Sequence, residues 1–171
     1  MFQQLLLEES IGIGLKGEGY EQALRGMIDL LPKWGLKESV KAALLTRLLE
    51  RERFGTTAIG DGIALPRCVF SGVDFPLASL GVSREGVVFP SLDGGLVHII
   101  FLLVLPERED SEQDKQRILH VAESFFRDRF LRERIKIAER PEEIYELLLR
   151  EGSPMYEMVN RDMPFRARYG T

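Results

Sequence analysis

An α/β (α+β) fold, a single mixed sheet covered by helices on both faces, is what the order of patterns along this chain predicts. Two observations carry the prediction. Stretches with the apolar spacing of amphipathic helices lie towards both ends of the chain, and between them runs LVHIIFLLVLP, residues 96–106, apolar almost throughout. A run of that kind suits a central strand buried on both faces, and such a strand needs helices on each side of its sheet. A chain of 171 residues can bury one core without staples, and a second core is not expected.

The elements follow in order. SIGIGLKG, residues 10–17, alternates like a strand. From Tyr20, apolar side chains fall at Ala23, Leu24, Met27, Ile28 and Leu31, one face of a helix that Pro32 ends. After the Trp34-Gly35 break, Leu36, Val40, Leu44 and Leu48 continue the spacing in a second helix, to about Glu52, packed beside the first. LASLGVS and GVVF read as strand segments ahead of the long apolar run. Beyond Pro106 the period turns helical: Asp110 or Ser111 caps a helix whose inward face holds Ile118, Leu119, Ala122, Phe125 and Phe126. A shorter helix follows near Asp128, and Pro141 opens a final one, PEEIYELLLRE, with Gly152 just past its end. Residues 1–152 thus form one domain. The extension, residues 153–171, is either a flexible end or an arm that docks on a partner.

Composition narrows the function. Apolar residues make up 44% and charged residues 29%, as in ordinary globular proteins. The formal charge is -4 with both signs interspersed, so no basic stripe suggests nucleic acid as a partner. The single cysteine, Cys68, excludes a disulfide framework and a cysteine-rich metal site. No metal or cofactor is expected. The opening residues MFQQLLLEES lack a basic segment before a long apolar run, so neither a secretory signal nor membrane insertion is expected, and the location is taken as cytoplasmic.

The chemistry concentrates around GTTAIGDGIALPRCVF, residues 55–70. Gly60 and Gly62 bracket Asp61, which reads either as a helix-to-strand turn or as a backbone made to approach something closely. Arg51 follows Leu48 by three residues and Leu44 by seven, which places it along the apolar face at the last turn of its helix. An inward guanidinium needs a carboxylate, a group of carbonyls or a bound anion; the alternative is a cation capping the helix end. Lys115, three and four residues before Ile118 and Leu119, reaches the same place or keeps a solvated head on a buried stem.

The stretch LLERERFGTTAIGDGIALPRC resembles the active-site segment of the type 2 enzyme IIA domains of the bacterial phosphotransferase system (PTS), both the mannitol/fructose class and its nitrogen-related branch. The likeness extends over nearly all of residues 1–151 and includes VVFPSLDGGLVHIIFLLVLPE. It implies a mixed sheet of about five strands flanked by helices, and a shallow site that faces other proteins. In that family the residue after Leu-Pro or Ile-Pro is a histidine that takes a phosphoryl group from the small histidine phosphocarrier protein and passes it to a cysteine of a IIB partner. A neutral imidazole offers a lone pair for that step. Here the residue is Arg67, whose pKa above about 12 leaves no nitrogen free to attack phosphorus. The family's second site histidine aligns with Lys115. Arg51, Thr56, Thr57, Gly60, Gly62 and Pro66 match the part of the site that cradles rather than accepts.

His120 falls on the polar side of its helix and His98 within the apolar strand, so neither replaces the acceptor. Cys68 is either a small buried filler or, beside Arg67, a thiol of lowered pKa. The expected role is therefore a regulatory or sensor domain without phosphohistidine and with no catalytic residue. Arg51, Thr56, Thr57, Arg67 and Lys115 would bind phosphate, another small anion or a protein partner. The alternatives are a working phosphocarrier for sugar uptake or nitrogen-related regulation, using Cys68 or another residue, and a ligand-free structural protein in which Arg67 pairs with Asp61 or Glu52.

Overall fold

A computed structural model describes residues 5–151, so Gly152 and the 153–171 extension lie outside the described residues. Strand β1 is Ile11–Ile13; helices α1, Tyr20–Asp29, and α2, Lys41–Arg53, follow. Three short strands come next, β2 (Ala58–Gly60), β3 (Ile63–Ala64) and β4 (Arg67–Phe70), and then two long ones, β5 (Leu77–Val87) and β6 (Val97–Pro106). Helices α3 (Ser111–Arg127), α4 (Arg129–Ile137) and α5 (Pro141–Glu151) complete the described chain.

The strands form one mixed sheet in the order β1-β5-β6-β3-β2, with β4 also paired to β6. Among the described residues the sheet has six strands, one more than the about five expected. The stretch GTTAIGDGIALPRCVF supplies three of them, each two to four residues long and too short for a period of two to register. LASLGVS and the first two residues of GVVF fuse into the single strand β5, whose ladder with β6 is interrupted between Val82 and Val87. The second helix starts later than its apolar spacing suggests, because a 3₁₀ turn at Glu38–Val40 precedes α2.

β6 is the centre of the molecule. Side chains alternate across a strand, and Ile99, Phe101, Leu103 and Leu105 enter a core with Ile118, Ala122 and Phe126 of α3 and Ile144 and Leu148 of α5. Ile100, Leu102 and Val104 enter another with Leu24 and Met27 of α1 and Leu44 and Leu48 of α2. Helices therefore cover both faces. On the α1 side the approach is close: a Cβ on Gly81 would lie 2.4 Å from Met27 Sδ. The Ser79 hydroxyl donates to the Met27 carbonyl at 2.8 Å, tying β5 to the helix.

Against β6, β3 and β4 run parallel in one register: Ile63 pairs with Ile99 and Ala64 with Ile100, and the same offset continues from Arg67 with Leu103 to Phe70 with Pro106. Across the gap the Pro66 carbonyl accepts from the Leu103 amide at 3.0 Å. Pro66, which has no N–H to give, interrupts the pairing without shifting it.

Candidate functional site

The site is built where α2 ends, β4 begins and α3 begins. Arg47, Glu50, Arg51 and Phe54 form a stripe at intervals of three and four residues along α2 and its C-cap. Together with Arg67, Cys68 and Val69 of β4 and Glu112 and Lys115 of α3, they line a pocket of about 220 Å³. β4 pairs with no strand besides β6 among the described residues, so the pocket opens at its outer edge. Four cations face two carboxylates there.

Arg67 is half-buried, and its Nη1 donates to the Leu65 carbonyl at 3.2 Å. Among the described residues no carboxylate lies within ion-pair distance of its guanidinium. Burial holds its pKa below the ordinary arginine value, and the neighbouring charge of Arg51 adds to the effect, while the more distant carboxylates of Glu52 and Glu123 oppose it. Arg51 lines the pocket while its Nη1 donates to the Gly55 carbonyl at 3.0 Å, a cation at a helix C-terminus. Lys115 reaches the pocket too, with its Nζ 2.7 Å from Glu112 Oε2 one helical turn away.

Two of the expected residues are elsewhere. Thr56 and Thr57 turn to Glu52 instead of the pocket. One carboxylate oxygen of Glu52 accepts from the Thr57 amide at 2.7 Å and the Thr56 hydroxyl at 3.1 Å, and the other accepts from the Thr57 hydroxyl at 2.7 Å. Glu52 is 6% exposed, and a buried carboxylate needs such donors more than an anion site needs two hydroxyls. Asp61 does not pair with Arg67 either: its carboxylate lies 3.9 Å from Arg132, and its amide donates to Asp93 at 3.0 Å. Gly60, Asp61 and Gly62 all have positive φ, at 96°, 55° and 74°, and connect β2 to β3; the glycine pair makes a strand-to-strand turn, not a helix-to-strand one.

Cys68 is the buried filler. Its thiol is pushed up to about 12 by burial, which outweighs the opposing fields of Arg47 and Lys115. At neutral pH it stays protonated and is a poor nucleophile. His98 is held by the Ser83 carbonyl at 2.9 Å from Nδ1, His120 is exposed, and neither lines the pocket. Sequence reasoning passed over Arg47, Glu50, Phe54 and Glu112. The signal for the first three was present, because they share one helical stripe with Arg51. The arrangement can hold and orient an anion; it offers phosphorus no neutral nitrogen and no thiolate.

The sequence matches the family described as phosphoenolpyruvate-dependent sugar phosphotransferase system, EIIA 2, over residues 4–151. It is 32% identical over 104 residues to a PTS system fructose-specific EIIABC component of Bacillus subtilis, covering 61% of this chain and 16% of that longer protein. It is 26% identical over 147 residues to a nitrogen regulatory protein of Pseudomonas aeruginosa, covering 86% and 94% of the two chains. The crystal structure of the nitrogen regulatory protein IIA-Ntr from Neisseria meningitidis superposes with a TM-score of 0.74 at 25% identity, covering 85% of this chain and 97% of that one. The mannitol IIA of Escherichia coli, solved in complex with phosphorylated enzyme IIB, shares the fold with a TM-score of 0.59 at 20% identity, covering 84% and 96%. No helix among the described residues is long and apolar enough to cross a membrane. With a family match across residues 4–151 and the same mixed sheet in its structural neighbours, the chain belongs to the type 2 EIIA family of the phosphotransferase system.

Proposed function

We propose that this chain is a regulatory or sensor domain of the EIIA type 2 family that carries no phosphoryl group on residue 67. It binds a small anion such as phosphate between Arg51, Arg67 and Lys115, and presents the occupied or empty pocket to a protein partner. The observation that carries the reading is the guanidinium of Arg67: half-buried, bonded to a carbonyl, repelled by Arg51 and, among the described residues, with no carboxylate within ion-pair distance, Glu52 and Glu123 acting on it only from further off. An anion placed there relieves the repulsion and supplies the missing acceptors. Phe54, 92% exposed on the rim, offers a partner an apolar contact beside the charge.

The first test exposes the protein to phosphoenolpyruvate, enzyme I and the histidine phosphocarrier protein and reads intact mass. The expected result is no covalent gain, and one added phosphoryl group overturns the proposal in favour of a working carrier. In parallel, phosphate is expected to raise Tm over chloride at matched ionic strength, by linkage to the folded state. Arg67→Gln is expected to abolish that shift.

A further inference from the structure

A second cavity of about 610 Å³ continues from the pocket along the crease between α2 and β4, sharing Arg47, Glu50 and Val69 with it. Its volume alone is in the range of about 300–1,000 Å³ typical of small-molecule sites, whereas the cationic pocket of about 220 Å³ holds little more than an anionic head. The two compartments differ in chemistry. Arg51, Arg67 and Lys115 belong to the cationic one alone, while the crease has Arg47 as its one cation among the described residues, runs past Glu50 and ends on Thr46, Ser71 and Glu107, with Val69 and Phe70 as its apolar part. Glu50 and Glu107 form no ion pair among the described residues. The Thr46 hydroxyl spends its proton on the Ala42 carbonyl at 3.1 Å, so towards a ligand it can only accept.

We infer that the ligand is a small phosphate monoester whose body donates hydrogen bonds, its phosphoryl head in the Arg51–Arg67–Lys115 pocket and its hydroxyl or ammonium groups along the crease towards Glu50 and Glu107. The inference rests on the anion-binding reading above and adds the body of the ligand to it. Carboxylates at neutral pH are acceptors only, and Glu50 and Glu107 are exposed along the crease, so a body that brings donors can take the place of their water. Inorganic phosphate fills only the cationic compartment.

The test is calorimetric titration of the full chain with four probes: inorganic phosphate, methyl phosphate, glucose 6-phosphate and phosphoethanolamine. At least one of the last two is expected to bind about ten-fold tighter than methyl phosphate. Glu107→Gln is expected to remove that advantage while leaving methyl phosphate unaffected. A hydroxyl-bearing body is identified by glucose 6-phosphate, an ammonium-bearing one by phosphoethanolamine. Equal binding of all four overturns this inference and leaves the anion pocket standing, as does an advantage that survives Glu107→Gln. Failure of all four to bind removes the anion pocket as well.

Discussion

Arg67 and Cys68 are neighbours in the chain with opposite surroundings. The guanidinium lies in the open pocket with no carboxylate of the described residues within ion-pair distance, and Cys68, at 5% exposure, belongs to the core shared with α2. The thiol has an ordinary value near 9 and a folded value of about 12. Its contribution to stability is whole below pH 9 and is lost as pH rises towards 12, because the unfolded chain gives up the proton first. Between pH 8 and 10.5 the wild type is therefore expected to lose about 1–2 kcal/mol more than Cys68→Ala, measured by urea denaturation. Glu52 governs the loop ahead of these residues. Glu52→Ala would strand a buried amide and a buried hydroxyl on Thr57, a loss of about 3 kcal/mol in the same experiment. The burial of Cys68 was one of the readings the sequence offered, but the Glu52 clamp was not visible there, since RERFGTT shows a carboxylate four residues before a threonine pair but not that the two turn to each other and away from the pocket.

The turn from Gly60 to Gly62 sets the path of β3 and, through it, of β4. Gly62 has φ of 74°, a Cβ placed there would meet His98 Cδ2 at 3.2 Å, and its carbonyl accepts from the His98 and Ile99 amides at 2.8 and 3.0 Å. Gly62→Ala is expected to destabilise the protein by about 1–3 kcal/mol in thermal unfolding. Gly55→Ala, with nothing within 4 Å of the added carbon and no positive φ, is expected to change stability little. Helices were legible where a long apolar spacing marks one face, as in α1 and α3, and so was β6, whose apolar run matches burial on both sides. β2, β3 and β4 were not, since strands of two to four residues are defined by their pairing partners rather than by any local pattern.

At the scale of the molecule, one sheet with helices on both faces followed from the order of elements alone, since a strand as apolar as β6 has nowhere to go but the middle. Of the candidate site, the sequence offered a set of charges on different elements, and three of them, Arg51, Arg67 and Lys115, lie around one pocket. What brings them together is long-range, the parallel pairing of β4 with β6 that sets its first residue between the end of α2 and the start of α3. No local signal encodes that pairing.

Because the ladder keeps its offset through Pro66, residue 67 is located by its neighbours' backbone and not by its own side chain. The scaffold works as a socket into which different chemical heads can be fitted without retooling the frame. An imidazole at this position would meet the same backbone, so the place of residue 67 is set by the ladder and its chemistry by the side chain it carries.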